Sequence, residues 1–403
     1  MTDSNEKNDP ARSEAAEPRP RAEESPSDSA EMTPRELDEA KRYGRASLAC
    51  GLADRAVDVG YLACAAFLLG KPLDAWLTIC PVLSRVDTLR LLMLFAILVG
   101  LHMVVSFPVS FYSGHVLEHR FNLSTLSLGG WVWRYCKRMA LAVAFGAVVF
   151  TGLYWLIWTT GRYWWLASAG AFFLVSILLG RLAPVLIIPL FYKIEELDRP
   201  ELGERLAKLA EGTGLSIEGI YRIVLSEETV KGNAMLAGLG ATRRVLMGDT
   251  LLERFSDDEL EVIFAHEIGH HVHRHLPKLI AFGLLTSVAG FWICDRVLGL
   301  WVSGPGEPVD YARFPVWALP MIMFVLTLFP MVLEPLQNAV SRSFERQADR
   351  YALERTGMRA PYVSAFQKLS KLNKDDPDPH PLEVFLFHGH PPISKRVGMA
   401  EDG

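Results

Sequence analysis

The stretch Val262-Ile263-Phe264-Ala265-His266-Glu267-Ile268-Gly269-His270-His271 decides how the rest of the chain is read. It contains His-Glu-x-x-His. The four-residue spacing puts His266 and His270 on one helix face, one turn apart, where both imidazoles reach a single Zn²⁺. Glu267 stands beside them, placed to take a proton from a water that the metal activates. Just upstream, Ser256-Asp257-Asp258-Glu259 is a capping box that leads into an apolar run, which predicts a helix start. Leu260, Ile263, Phe264 and Ile268 give that helix an apolar stripe, and acids in its first turn suit the macrodipole. An amphipathic helix with ordinary surface histidines would carry the same short pattern, so the flanking sequence has to decide.

Two histidines need a third protein ligand to make a catalytic zinc site. Downstream, Asn338-Ala339-Val340-Ser341-Arg342-Ser343-Phe344-Glu345-Arg346-Gln347-Ala348-Asp349 reads as a helix with Arg342, Glu345 and Asp349 on one face. Glu345 completes a His₂Glu set with the fourth position open. Asp349, with Arg342 on the same face, is placed to hold a ligating histidine by its other ring N–H. The segment also reads as a charged amphipathic helix with internal ion pairs.

Outward from these segments the sequence turns apolar. Its 403 residues are 50% hydrophobic and 22% charged, and the mean hydropathy is +0.18. That is too apolar for an ordinary soluble enzyme with so polar an N-terminus. A net charge of -5 argues against a nucleic-acid surface. Cys50, Cys64, Cys80, Cys136 and Cys294 show no Cys-x-x-Cys spacing and read as free thiols rather than a disulfide frame. Residues 1–34, rich in Glu, Ser, Pro, Ala and Arg, read as a disordered acidic tail and not a signal peptide.

Residues 36–53 read as a helix lying along or entering the membrane. Apolar segments follow at about 57–77, 89–112, 139–158, 164–189, 276–302 and 314–336. Arg181, deep in the fourth, faces a polar interior or snorkels to the headgroups. Asp295 and Arg296, inside the fifth, are spaced too closely to pair on one face. Pro315, Pro320, Pro330 and Pro335 in the sixth suggest bent walls around a cavity. The polar region between the fourth and fifth holds a short helix at 200–212 and strands at 219–226, 233–239 and 243–247. The expected fold is therefore an all-α polytopic membrane protein of about six transmembrane helices, with a small α+β zinc-metalloprotease region at the cytoplasmic face. Its expected parts are the tail at 1–34, a membrane domain of about four spans at 35–192, and a catalytic region at 193–275. Two spans at 276–340 and a C-terminal segment at 341–403 that completes the site would follow. Lys41, Arg42, Arg45, Arg120, Arg134, Lys137 and Arg138 put the catalytic side in the cytoplasm.

With these segments in order, the chain resembles the type I (sterile-24-type) CAAX prenyl proteases, integral membrane zinc metalloendopeptidases. The likeness runs from about residue 35 onward. It rests on Phe111-Tyr112 with Val116, Glu118, Phe121-Asn122 and Thr125-Leu126, then Ala183-Pro184 with Pro189-Leu190-Phe191, Asn233-Ala234, and Asp249-Thr250-Leu251-Leu252-Glu253. The two zinc segments follow, then Lys371-Leu372-Asn373-Lys374-Asp375 and His390-Pro391-Pro392 with Arg396. The resemblance implies one Zn²⁺ on His266, His270 and Glu345, with Glu267 activating water. It implies that His390 and Arg396 lie near the metal, where they bind the tetrahedral oxyanion or the substrate's terminal carboxylate. It also implies that the strand with Asn233 and Ala234 offers its edge to an extended peptide or protein substrate, prenylated at its C-terminus, in a lipid bilayer. Two features depart from the family pattern: an apolar span at the extreme N-terminus is missing, and the link between Glu253 and the zinc helix is minimal. A zinc protease that trims unprenylated membrane proteins fits the same residues. A zinc transporter or metal buffer is a more distant alternative, because Asp257, Asp258, Glu261, Arg274 and Lys278 place the motif at the membrane surface. His271, His273 and His275 are expected to be solvated or hydrogen-bonded.

Overall fold

The computed structural model describes residues 30–214, 219–238 and 244–401. The tail expected at 1–34 lies almost wholly outside the described residues. Thr33 accepts the Glu36 N–H at 3.3 Å and donates its own N–H to the Glu36 carboxylate at 2.8 Å. This capping box starts α1 (Pro34–Leu77), a 44-residue helix with a π-turn at Ala65–Leu69. The surface helix and the first span are thus one element. Two of its charged side chains meet partners on other helices. Arg55 pairs two-pronged with Glu334, and Asp58 lies 2.8 Å from His102 Nε2. An unmatched charge at membrane depth would cost on the order of 2.5–3.5 kcal/mol.

Helix α2 (Asp87–Arg120) follows, then a 63-residue apolar stretch, Leu128–Leu190. Gly161, at φ +58°, breaks that stretch into α3 (Leu128–Thr160) and α4 (Trp164–Leu182). Arg181 falls in the last turn of α4 and is exposed there.

Among the described residues, the polar region forms a four-stranded sheet of β1 (Ile194–Glu196), β2 (Gly219–Ile223), β3 (Ala234–Ala237) and β4 (Arg244–Gly248), in the order β1-β2-β4-β3. β2 and β4 run parallel and the other pairings are antiparallel, so β3 is an edge strand. β1 has no sequence signature, because Ile-Glu-Glu is too short to show alternation. Helix α5 (Pro200–Ala210) and the zinc-motif helix α6 (Asp257–Val272) cover the sheet. Leu202 and Leu206, Val245 and Met247, and Leu260 and Phe264 share one buried core.

Helix α7 (His275–Val302) returns to the apolar layer, and α8 (Leu319–Thr356) leaves it. Among the described residues, hydropathy marks five membrane-length stretches, and the break at Gly161 makes them six helices. Asp295 of α7 is buried and accepts hydrogen bonds from Trp164 Nε1 at 2.7 Å and Tyr311 Oη at 2.8 Å. Arg296 does pair with Asp295, contrary to expectation, because its long side chain curls back to the neighbouring carboxylate. The sixth span and the predicted ligand segment are one 38-residue helix that Pro330 and Pro335 do not divide. Glu345 is therefore carried on a rigid extension of a span. Inner faces pack into one core around Leu94, Leu98, Tyr154, Trp164 and Ile322, while Val104, Leu174 and Val332 face outward. Helices α9 (Arg359–Asn373), α10 (Pro381–Phe387) and α11 (Ile393–Glu401) close the catalytic side.

Candidate active site

The zinc-motif helix starts where its capping box requires. Ser256 accepts the Glu259 N–H at 3.3 Å, and Glu259 accepts the Ser256 N–H at 2.8 Å. Burial would raise the Glu259 pKa, but hydrogen bonds from Ser364 and Lys368 of α9 hold it below the usual carboxylate range. Arg199 and Arg205 pair with Asp257, Asp258 and Glu261 and fix the same turn to α5. Helix α6 then crosses α8 very closely. A Cβ at Gly269 would lie 2.9 Å from the Ala348 Cα, so glycine is required there. That approach sets His266, Gly269 and His270 against Glu345, Ala348 and Asp349, each trio at i, i+3 and i+4.

Three ligand atoms converge. His266 Nε2 and His270 Nε2 are 3.1 Å apart, and each lies 3.3 Å from a Glu345 carboxylate oxygen. Zinc bonds of about 2.0–2.1 Å in tetrahedral geometry give ligand-to-ligand edges of about 3.3–3.4 Å. The donor set therefore fits a metal ion. Glu345 Oε2 is buried without a well-directed hydrogen-bond donor, although imidazole nitrogens lie within 3.3 Å of it. Behind His266, Nδ1 lies 2.9 Å from the fully buried Asp349. Burial alone would lower the His266 pKa, but Asp349 and Glu345 outweigh it and push the ring up to about 9.

The other predicted residues surround this cluster. Glu267 lines a cleft of about 640 Å³ with Asn233, Ala234 and His390. His390 Nδ1 is 2.8 Å from Glu345, and its side chain is 70% exposed. Arg342 differs from expectation. It donates to the backbone carbonyls of Val384 at 2.8 Å and His388 at 2.6 Å, so it pins the segment that carries His390 rather than a ligating histidine. Arg396 is buried, donates from Nε to Asp349 Oδ2 at 3.0 Å and from Nη2 to Oδ1, and lies 3.8 Å over the Phe366 ring. Its guanidinium holds Asp349 and lies 3.3 Å from His266 Nδ1, and the side chain also lines the cleft.

Two features had no signal in the motifs, and a third, Asn373, stood in the Lys371–Asp375 block without a role. Tyr43, Ser47 and Leu48 of α1 form a cleft wall, a placement that no local pattern announces. Lys231, next to the edge strand, bonds Tyr43 and Glu118 at 2.8 Å each. Asn373 accepts the Gly232 N–H at 2.9 Å and donates to the Gly232 carbonyl at 3.4 Å. His275 proves to be buried against His270, with Nδ1 atoms 3.0 Å apart.

Membrane-length helices and a convergent His₂Glu site beside a glutamate define a membrane-embedded metalloprotease. The sequence model of Peptidase family M48 matches residues 196–402, half of the chain, and the chain belongs to that family. A second model, CAAX prenyl protease N-terminal, five membrane helices, matches residues 20–193. The described part of that match holds four long helices, α1 to α4. The chain is 31% identical over 304 residues to an uncharacterized metalloprotease of Bacillus subtilis, covering 74% of this chain and 70% of that one. It is 28% identical to CAAX prenyl protease 1 of Saccharomyces cerevisiae, covering 75% and 70%. In fold it is similar to the crystal structure of S. mikatae Ste24p, with a TM-score of 0.79, 24% identity, and coverage of 91% and 89%.

Proposed function

We propose that this metalloprotease is a zinc endopeptidase that cleaves near the C-terminus of prenylated proteins, with its catalytic side in the cytoplasm. The observation that carries the zinc reading is the set of 3.1 to 3.3 Å separations among His266, His270 and Glu345. The names of the yeast and other CAAX prenyl protease relatives support the substrate class. In this reading the chain keeps the division into membrane part 35–192, catalytic region 193–275, spans 276–340 and completing segment 341–403.

His266, His270 and Glu345 would hold the ion, which when bound supplies the Lewis acidity that makes water nucleophilic near neutral pH. Glu267 takes the proton of the attacking water and returns it to the leaving amine. The free edge of β3, from Asn233 and Ala234 onward, pairs with the substrate backbone and holds the scissile carbonyl in register. His390, exposed at the cleft, donates a hydrogen bond to the developing oxyanion. Arg396 acts behind the site by fixing Asp349, which fixes His266.

The test incubates purified protein with a farnesylated Cys-a-a-X peptide and its unprenylated twin and maps products by mass spectrometry. Release of the terminal tripeptide from the lipidated peptide alone is expected. Cleavage of both peptides at scattered positions would remove the prenyl substrate and leave the protease.

A further inference from the structure

The two histidines of the site are supported differently. His266 leans on a charged pair, Asp349 with Arg396. His270 leans on neutral groups. Its Nδ1 lies 3.0 Å from His275 Nδ1, and His275 Nε2 lies 3.4 Å from Gln347 Oε1. Gln347 Nε2 in turn donates to the Ser343 carbonyl at 3.3 Å. His275 is buried, and its ring stacks on Phe344 at 4.3 Å with 9° between the planes.

This chain of bonds has only one direction. A backbone carbonyl can only accept, so the Gln347 NH₂ group must face Ser343, and Oε1 must face His275. Oε1 accepts, so His275 carries its proton on Nε2, which leaves Nδ1 as an acceptor. His270 must then carry its proton on Nδ1, and its Nε2 lone pair is left pointing at His266 and Glu345. The opposite direction would protonate His270 Nε2 and block it as a ligand. We propose that His275 and Gln347 are positioning residues that set the tautomer and ring orientation of His270. Because His275 is the first residue of α7, the relay also ties the site to a membrane span.

The inference rests on the zinc-site reading above and deepens it. The test measures zinc affinity by chelator competition for the full-length protein in detergent and for three variants. His275→Phe keeps a ring to stack on Phe344 but removes the acceptor. Gln347→Met removes the terminal acceptor, and Gln347→Glu keeps it. The first two variants should bind zinc 10- to 100-fold more weakly, and Gln347→Glu should match the parent, as the bond direction requires. If His275→Phe does not fold, Gln347→Met against Gln347→Glu makes the same comparison. ¹⁵N shifts of the zinc-loaded parent should show His270 protonated at Nδ1. Parent-like affinity in His275→Phe and Gln347→Met, or a proton on His270 Nε2, overturns the relay while leaving the zinc site intact. A parent protein that binds no zinc overturns the site reading and the relay together.

Discussion

The membrane half and the catalytic half treat polar groups in opposite ways. In the membrane half three ion pairs cancel charge between helix segments: Arg55 with Glu334, Asp58 with His102, and Arg90 with Asp74 at 2.9 Å. Asp295 is satisfied by a tryptophan, a tyrosine and an arginine. In the catalytic half the supports are paired, but at the centre three electron-pair donors face one another. Pairing of that kind lets a helix carry charge through an apolar layer. Convergence of like groups becomes favourable only when a positive charge, a metal ion or a bound proton, lies between them. The same contrast separates groups that hold the fold from groups that do chemistry.

The comparison is broken most severely at Glu267. Glu267→Gln should lower turnover by about 10²- to 10⁴-fold, the usual worth of a positioned acid–base group. Zinc content measured on the same sample should be unchanged, since Glu267 is no ligand in this arrangement. Zinc loss would show that the residue does hold the metal.

Next in size is the support behind His266. Arg396→Leu leaves buried Asp349 with only His266 as a partner, and breaking a buried pair costs about 3–5 kcal/mol. Thermal unfolding should show a clearly lowered midpoint, and an unchanged midpoint would contradict the buried pairing. Removing the metal should expose a pH dependence in this region. The His266 pKa is raised to about 9 in the folded chain, against about 6.5 unfolded. Its contribution is therefore fully present below about pH 6.5 and is lost as the pH rises through about 9. Chelator-treated protein should lose stability over that window, while zinc-loaded protein, where the ion replaces the proton, should not. Parallel curves for the two forms would refute this.

Smaller effects are expected at the edge strand and in the membrane half. Asn373→Ala should weaken the hold on Gly232 by about 1 kcal/mol and raise KM about fivefold with little change in kcat. An effect on kcat alone would place Asn373 elsewhere in the mechanism. His102→Gln, which keeps a hydrogen-bond donor facing Asp58, should cost only about 0.6 kcal/mol, typical of interhelical polar contacts in membranes, with zinc affinity intact. A large loss of zinc would mean that the membrane pairs are coupled to the site.

Much of this was legible in the sequence because the signals were local. The capping box at Ser256, the i, i+4 histidines and the alternating polar and apolar blocks each depend on neighbours within one or two turns. Glu345 was reachable because its helix face could be read by itself. What stayed hidden depended on contacts between distant segments. Arg396 lines the cleft, but its hold on Asp349 and its packing on Phe366 depend on how the C-terminal segment folds back. Arg342 shares a face with Glu345, but its reach to the Val384 and His388 carbonyls depends on how the C-terminal segment folds back. His275 looked like one more histidine in a polar run until the turn at Arg274, with φ +55°, brought it under His270. The cleft wall from α1 lies almost two hundred residues before the edge strand it faces, and sequence spacing carries no information about that.

The central claim is that three convergent donors hold one zinc. X-ray absorption at the zinc edge, on protein loaded with one equivalent, tests it most directly. A first shell of nitrogen and oxygen at about 2.0–2.1 Å with two imidazoles, one of which disappears in His266→Ala or His270→Ala, is the expected result. A shell containing sulfur, or one unchanged by either substitution, would contradict the account.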